Sequence, residues 1–145
     1  MDASVLVPRL VEEPDTAVVE AYLDGRSEQL SISDFAAAEV ASALSRLVRM
    51  RLLATAEALS ALNDFEIWRA ARGSPADVHA SDARLAYVYV QRFDLMLRTP
   101  DALHLAISRR MDATLVTLDG RLANAARELG IAVAVPGTDT ARDPG

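Results

Sequence analysis

The sequence predicts an α/β fold, with a short central parallel sheet flanked by helices, and three observations predict it. Short apolar runs alternate with longer amphipathic stretches, the mark of a layered α/β architecture. At 145 residues, 51% of them hydrophobic, the chain fits one domain with one core. Four acidic residues far apart in the chain, Asp2, Glu39, Asp101 and Asp119, fall near predicted strand ends or helix starts. An open parallel sheet gathers such residues in the crevice outside the carboxyl ends of its strands.

The elements follow in order. Apolar or β-branched runs place strands at residues 3–7, 29–33, 77–80, 114–118 and 131–135. Helical periodicity fills the gaps: residues 15–23 after Pro14, 34–53 as the longest helix, 55–72 capped by Thr55, and 81–96 capped by Ser81. Thr99-Pro100 opens the next, with the hydroxyl as N-cap and proline at the first helical position, where its missing N–H costs nothing. The last helix, 119–129, stops at Gly130, a residue suited to the left-handed turn after a helix. Gly73-Ser74-Pro75 reads as a loop. Residues 1–136 form the expected domain and 137–145 a loose tail.

A formal net charge of −6 argues against holding nucleic acid by bulk electrostatics, so any such contact is local. All 15 basic side chains are arginine. The absence of lysine excludes a response-regulator receiver and a haloacid-dehalogenase-like phosphatase, and Asp2-Ala3-Ser4 also lacks the latter's second aspartate. The six glycines form neither a dinucleotide fingerprint nor a P-loop. No cysteine means no disulfide, thiolate nucleophile or zinc-thiolate site. Met1-Asp2 opens without a basic region or long apolar run, so neither a signal peptide nor a membrane span is expected, and the default location is cytoplasmic.

Each candidate residue admits an ordinary reading beside a functional one. Asp101, in the first turn of its helix, is either a metal ligand or an acid stabilised by the helix dipole by about 0.3–1 kcal/mol. Asp119, after an apolar strand and before Gly120, is a ligand or the N-cap of its helix. Glu39 sits among small apolar residues, Ala36–Ala38 and Val40–Ala43, and a buried glutamate needs a partner. Arg46, seven residues on, lies about 10 Å along the helix axis. With Arg49 it could track a phosphate chain or form a solvated cationic face. Ser4 and Thr117 could support carboxylates by hydrogen bonds, and His104, one turn after Asp101, could do the same. Four converging carboxylates without lysine repel one another unless a cation lies between them, and oxygen-only ligation suits Mg²⁺ or Mn²⁺.

The segments M-D-A-S-V-L-V, S-D-F-A-A-A-E-V-A-S-A-L, L-R-T-P-D-A-L-H-L-A and L-V-T-L-D-G-R-L resemble the PIN-domain nucleases, specifically the VapC toxins of type II toxin-antitoxin modules. The resemblance covers essentially the whole chain in order. It implies a PIN-like three-layer fold, with Asp2, Glu39, Asp101 and Asp119 as the family's acidic positions and Ser4 and Thr117 as its supporting hydroxyls. It further implies an Mg²⁺- or Mn²⁺-dependent endoribonuclease that cuts structured RNA such as transfer or ribosomal RNA, forms a homodimer and is silenced by a VapB-like antitoxin. Family members carry a few apolar residues before the first aspartate, forming the central strand. Only Met1 does so here, so the expectation is a true start further upstream. A catalytically inactive PIN-like module that binds protein partners is the alternative, with Leu44, Leu47, Val48, Leu52 and Leu53 available to a core, a dimer or an antitoxin helix.

Overall fold

In a computed structural model that describes residues 1–27 and 29–138, the chain divides into two units. Met1 and Ala3–Asp77 make the first; Asp2 and Val78–Gly145 make the second. Of the expected tail, residues 139–145 lie outside the described residues.

The first unit runs α1 (Ala3–Leu6), a 3₁₀ turn (Val7–Arg9), α2 (Thr16–Asp24), β1 (Leu30–Ser33), α3 (Asp34–Arg49), α4 (Thr55–Arg72) and β2 (Gly73–Ala76). The strand expected at residues 3–7 is helical instead. A short apolar run does not by itself separate a buried strand from a buried helix, and here local bonds satisfy the backbone: the N–H groups of Leu10 and Val11 donate to Val7 O at 2.8 and 3.1 Å. Val5 and Leu6 are fully buried in that form.

β1 and β2 pair in parallel, Leu30 opposite Gly73 through Ser33 opposite Ala76. The second strand therefore starts four residues before the expected 77–80, in the segment that reads as a loop. Proline is tolerated on a strand edge that needs no N–H, and Pro75 lies opposite Ile32. Gly73 is required by proximity, since a Cβ there would stand 2.9 Å from Arg69 O and 3.3 Å from the Ile32 side chain.

α3 begins where the Ser33 Oγ accepts the Ala36 N–H at 3.0 Å, a standard N-cap. Ala36, Val40 and Leu44 recur every fourth residue and are fully buried, packing with Leu6, Ile32 and Phe65. Leu47, Val48 and Leu53 also lie against this core, which leaves Leu52 as the exposed member of the expected apolar set.

The second unit contains α5 (Ala80–Val90), a 3₁₀ turn (Phe93–Leu95), α6 (Thr99–Arg110), β3 (Leu115–Val116), α7 (Gly120–Glu128) and β4 (Val133–Ala134). β3 and β4 form a second parallel pair. Ala102, Leu105 and Ala106 on α6 meet Ala86 and Tyr89 of α5, Leu115, and Leu122, Ala125 and Ala126 of α7. α5 and α6 are also joined by an ion pair between buried Asp82 and partly exposed Arg110. Arg110 donates to both Asp82 oxygens at 2.7 and 3.0 Å, and the His79 N–H donates to Oδ2 at 2.9 Å. Burial pushes the Asp82 carboxyl up, but the hydrogen bonds from Arg110 and His79 outweigh it and hold the group below the usual aspartate value.

Helix ends depart from expectation in a consistent way. Thr55, Ser81 and Thr99 lie inside their helices, and the N-caps are Ala54, His79 and Arg98, none with a capping side chain. The bond comes from the third helical residue: Glu57, Asp82 and Asp101 accept the backbone N–H of Ala54, His79 and Arg98 at 2.8, 2.9 and 2.9 Å. This is one half of a capping box. At the other end, α3 stops at residue 49 because Arg51 takes φ 58° and Leu52 N–H reaches back to Leu47 O at 2.9 Å. Asp112 (φ 48°) and Gly130 (φ 67°) end α6 and α7 the same way, a Schellman termination.

Candidate active site

β3 carries the chain to Thr117, which is fully buried. Its hydroxyl donates to Asp2 Oδ2 at 2.8 Å and accepts the Asp119 N–H at 3.0 Å. The Asp2 N–H in turn donates to Val116 O at 3.2 Å, which aligns residue 2 with the end of the strand. Asp2 is only 6% exposed, so Thr117 offsets part of the cost of burying its carboxylate.

Asp119 is the N-cap of α7, Oδ1 accepting from Arg121 N at 2.8 Å and Leu122 N at 3.3 Å. Its Oδ2 lies 3.7 Å from the Arg121 guanidinium. Asp101 uses Oδ2 for the Arg98 N–H, and its Oδ1 accepts no hydrogen bond among the described residues. Both aspartates thus perform the ordinary helix-start role open to them in the sequence, and both keep one oxygen outside it. His104 is buried one turn further along α6.

The remaining candidates belong to the first unit. Glu39 is half-buried on α3, and Ser4 is half-buried on α1. Arg46 and Arg49 are exposed in the last turn of α3, with Arg49 donating to Ser45 Oγ at 2.7 Å. Hydrogen bonds therefore join Asp2, Thr117 and Asp119. Among the described residues no group of three or more histidine, aspartate or glutamate side chains is gathered closely enough to hold a metal ion. By donor chemistry the acids suit a hard divalent cation, being carboxylate oxygens with no thiolate or amine to compete.

The pair of buried Asp82 and partly exposed Arg110 is a feature that reading the sequence overlooked. An acid three residues after a candidate N-cap was its available signal, obscured by assigning the cap to Ser81.

The PIN domain family model matches residues 1–128. Ribonuclease VapC46 of Mycobacterium tuberculosis is 32% identical over 139 residues, covering 94% of this chain and 95% of that protein. Two solved structures share the fold. VapBC2 from Rickettsia felis, bound to a DNA fragment from its promoter, aligns with a TM-score of 0.63 at 15% identity, over 92% of this chain and 95% of that one. FitAcB from Neisseria gonorrhoeae gives 0.62 at 19% identity, over 91% and 93%. By its family match and by this relative of nearly equal length, the chain belongs to the PIN-domain family.

Proposed function

We propose that this chain is an endoribonuclease toxin of the VapC kind, cutting structured RNA such as transfer or ribosomal RNA, working in the cytoplasm as a homodimer and neutralised by a VapB-like antitoxin. The observation that carries the reading is the 32% identity to a named ribonuclease across 94% of the chain. The site assignment is proposed with it. Asp2, Asp101 and Asp119 would hold Mg²⁺ or Mn²⁺, with Glu39 included on its sequence alone. Such an ion, when bound, supplies positive charge against the phosphate oxygens and acidifies a water.

The chain's own groups supply position. Thr117 fixes Asp2 through a buried hydrogen bond. Capping holds one oxygen of Asp101 and one of Asp119, orienting the other. Arg46 and Arg49 remain proposed phosphate contacts, and Ser4 a proposed support.

One observation favours the second reading, an inactive PIN-like module that binds protein partners: one carboxylate oxygen of Asp101 and one of Asp119 are engaged in capping. A cleavage assay on total RNA with mapped 5′ ends, with Mg²⁺ and with EDTA, separates the two. The toxin reading expects discrete, EDTA-sensitive cuts; a folded protein that produces none belongs to the second.

A further inference from the structure

The segment between α5 and α6 is built outside-in. Leu85, Val90, Leu95 and Leu97 pack against the core of the second unit, while Tyr87, Val88, Phe93 and Met96 are 70%, 54%, 83% and 73% exposed. Arg84, Tyr87, Val88 and Gln91 recur at helical spacing on one face of α5, all exposed. That face runs directly into the 3₁₀ turn bearing Phe93. Arg92 clamps the turn by donating to both Asp94 oxygens at 2.9 and 2.7 Å, and Met96 closes it at φ 51°. An aromatic ring is thus held out in solvent by a braced turn rather than left on a loose loop.

Along the segment itself the charge left unmatched is basic, with Glu128 the acidic group that also acts on Arg92. Arg84 and Arg98 are exposed and form no ion pair among the described residues, while Asp94 is matched by Arg92. The chain as a whole is acidic at −6, so this local balance is against the trend. The comparable exposed apolar pair on α4, Leu59 and Ile67, has Glu57, Asp64 and Glu66 as its exposed charged neighbours in the helix. Aromatic faces interleaved with unpaired arginines fit single-stranded nucleic acid, whose bases stack and whose phosphates pair. In RNA, unpaired loops are where bases are available for such stacking. Two residues beyond Met96 the chain reaches Arg98, the N-cap of α6, whose N–H holds the Asp101 carboxylate.

We propose that the exposed face of α5 and the turn Phe93–Leu95 bind an unpaired segment of RNA, Tyr87 and Phe93 stacking on bases and Arg84 and Arg98 contacting phosphates. The proposal rests on the ribonuclease reading for its substrate and adds to it the surface that grips the strand.

The test is fluorescence anisotropy with a short labelled single-stranded RNA, in EDTA so that binding is read without cleavage. Phe93→Ala and Tyr87→Ala should each weaken binding about 5- to 160-fold, the effect of losing one stacked base. Phe93→Trp should retain affinity. Arg84→Ala and Arg98→Ala should each flatten the salt dependence, lowering the slope of log K against log salt by about 0.7. Leu59→Ala and Ile67→Ala, also exposed apolar positions, should leave binding unchanged. Unchanged RNA affinity in the α5 and turn variants, with melting temperatures at the wild-type value, overturns the proposal. So does a shift of oligomeric state in ultracentrifugation without a change in RNA binding, which would make the face a protein interface. Binding lost in these variants by a chain that cleaves nothing supports this surface and rejects the nuclease reading. Cleavage unaffected by them does the reverse.

Discussion

Thr117 stands between two aspartates: its hydroxyl donates a hydrogen bond to Asp2 Oδ2 at 2.8 Å and accepts one from the Asp119 N–H at 3.0 Å. Valine at this position keeps the shape and removes both bonds. Thr117→Val should therefore lower stability by about 1–3 kcal/mol, the cost of leaving buried polar groups without partners, and lower RNA cleavage at the same time. Thr117→Ser should restore both. Urea unfolding beside a cleavage assay reads the contrast, and a Val variant with wild-type stability and activity would remove Thr117 from the site.

Asp101 shares its capping geometry with Glu57, and this allows its two roles to be separated. Glu57→Ala and Asp101→Ala should each cost about 1 kcal/mol in unfolding free energy, the usual value of a cap hydrogen bond. Only Asp101→Ala should abolish RNA cleavage. Equal catalytic loss in both would reduce Asp101 to a helix start.

Metal linkage gives an independent reading of the same acid. A cation that binds only the native protein at about 100 Kd raises stability by roughly 2.7 kcal/mol. Asp101→Asn keeps an oxygen to accept the Arg98 N–H, so without metal it should unfold within about 1 kcal/mol of wild type. With Mn²⁺ or Mg²⁺ it should gain much less. Melting temperatures that do not respond to either ion would remove the proposed ligands from consideration.

Asp82 makes stability depend on pH in a defined sense. Its folded pKa lies below the unfolded value of about 3.9. Its contribution is therefore complete above that unfolded value and lost as pH falls through the folded one. Asp82→Asn should be destabilised at pH 7 by about 2 kcal/mol, less than the roughly 3–5 kcal/mol for breaking a fully buried pair because Arg110 is 27% exposed. The gap from wild type should narrow below pH 4. Denaturant titrations at neutral and acid pH check this, and a gap independent of pH would assign the loss to packing.

Arg51 and Asp112 occupy left-handed turns at φ 58° and 48°, where a side chain is disfavoured. Arg51→Gly and Asp112→Gly should each stabilise by up to about 1 kcal/mol, less what glycine adds to unfolded-chain entropy. Gly130→Ala should do the opposite at φ 67°. Thermal melts of the three variants suffice.

The sequence made legible what depends on period and on covalent shape. The start of the long helix at Asp34, the Asp119 cap and the stop at Gly130 follow from apolar period and backbone preference. Three kinds of feature were hidden by competing signals. Residues 3–7 are apolar enough for either strand or helix. Gly73 and Pro75 read as breakers but serve an edge strand. Hydroxyls at Thr55, Ser81 and Thr99 drew attention from the acids at Glu57, Asp82 and Asp101, which make the bonds. The four acids were legible as candidates, and the link from Asp2 to Asp119 runs through Thr117, already a named support. What spacing could not convey was that capping would occupy one oxygen of Asp101 as well, the cap of that helix having been assigned to Thr99.

α4 passes into β2 without a connecting residue, Arg72 ending the helix and Gly73 beginning the strand. The joint has no slack: one residue inserted there would slide β2 against β1 and turn its alternating faces over, moving Ala76, now 5% exposed, to the other side. Natural or engineered length changes should therefore avoid this junction and accumulate in the stretch from Leu10 to Asp15, where the chain runs largely exposed between two helices. A library of single-residue insertions would show the difference as a gap in tolerated sites at residues 72–76, set against tolerated length changes before α2.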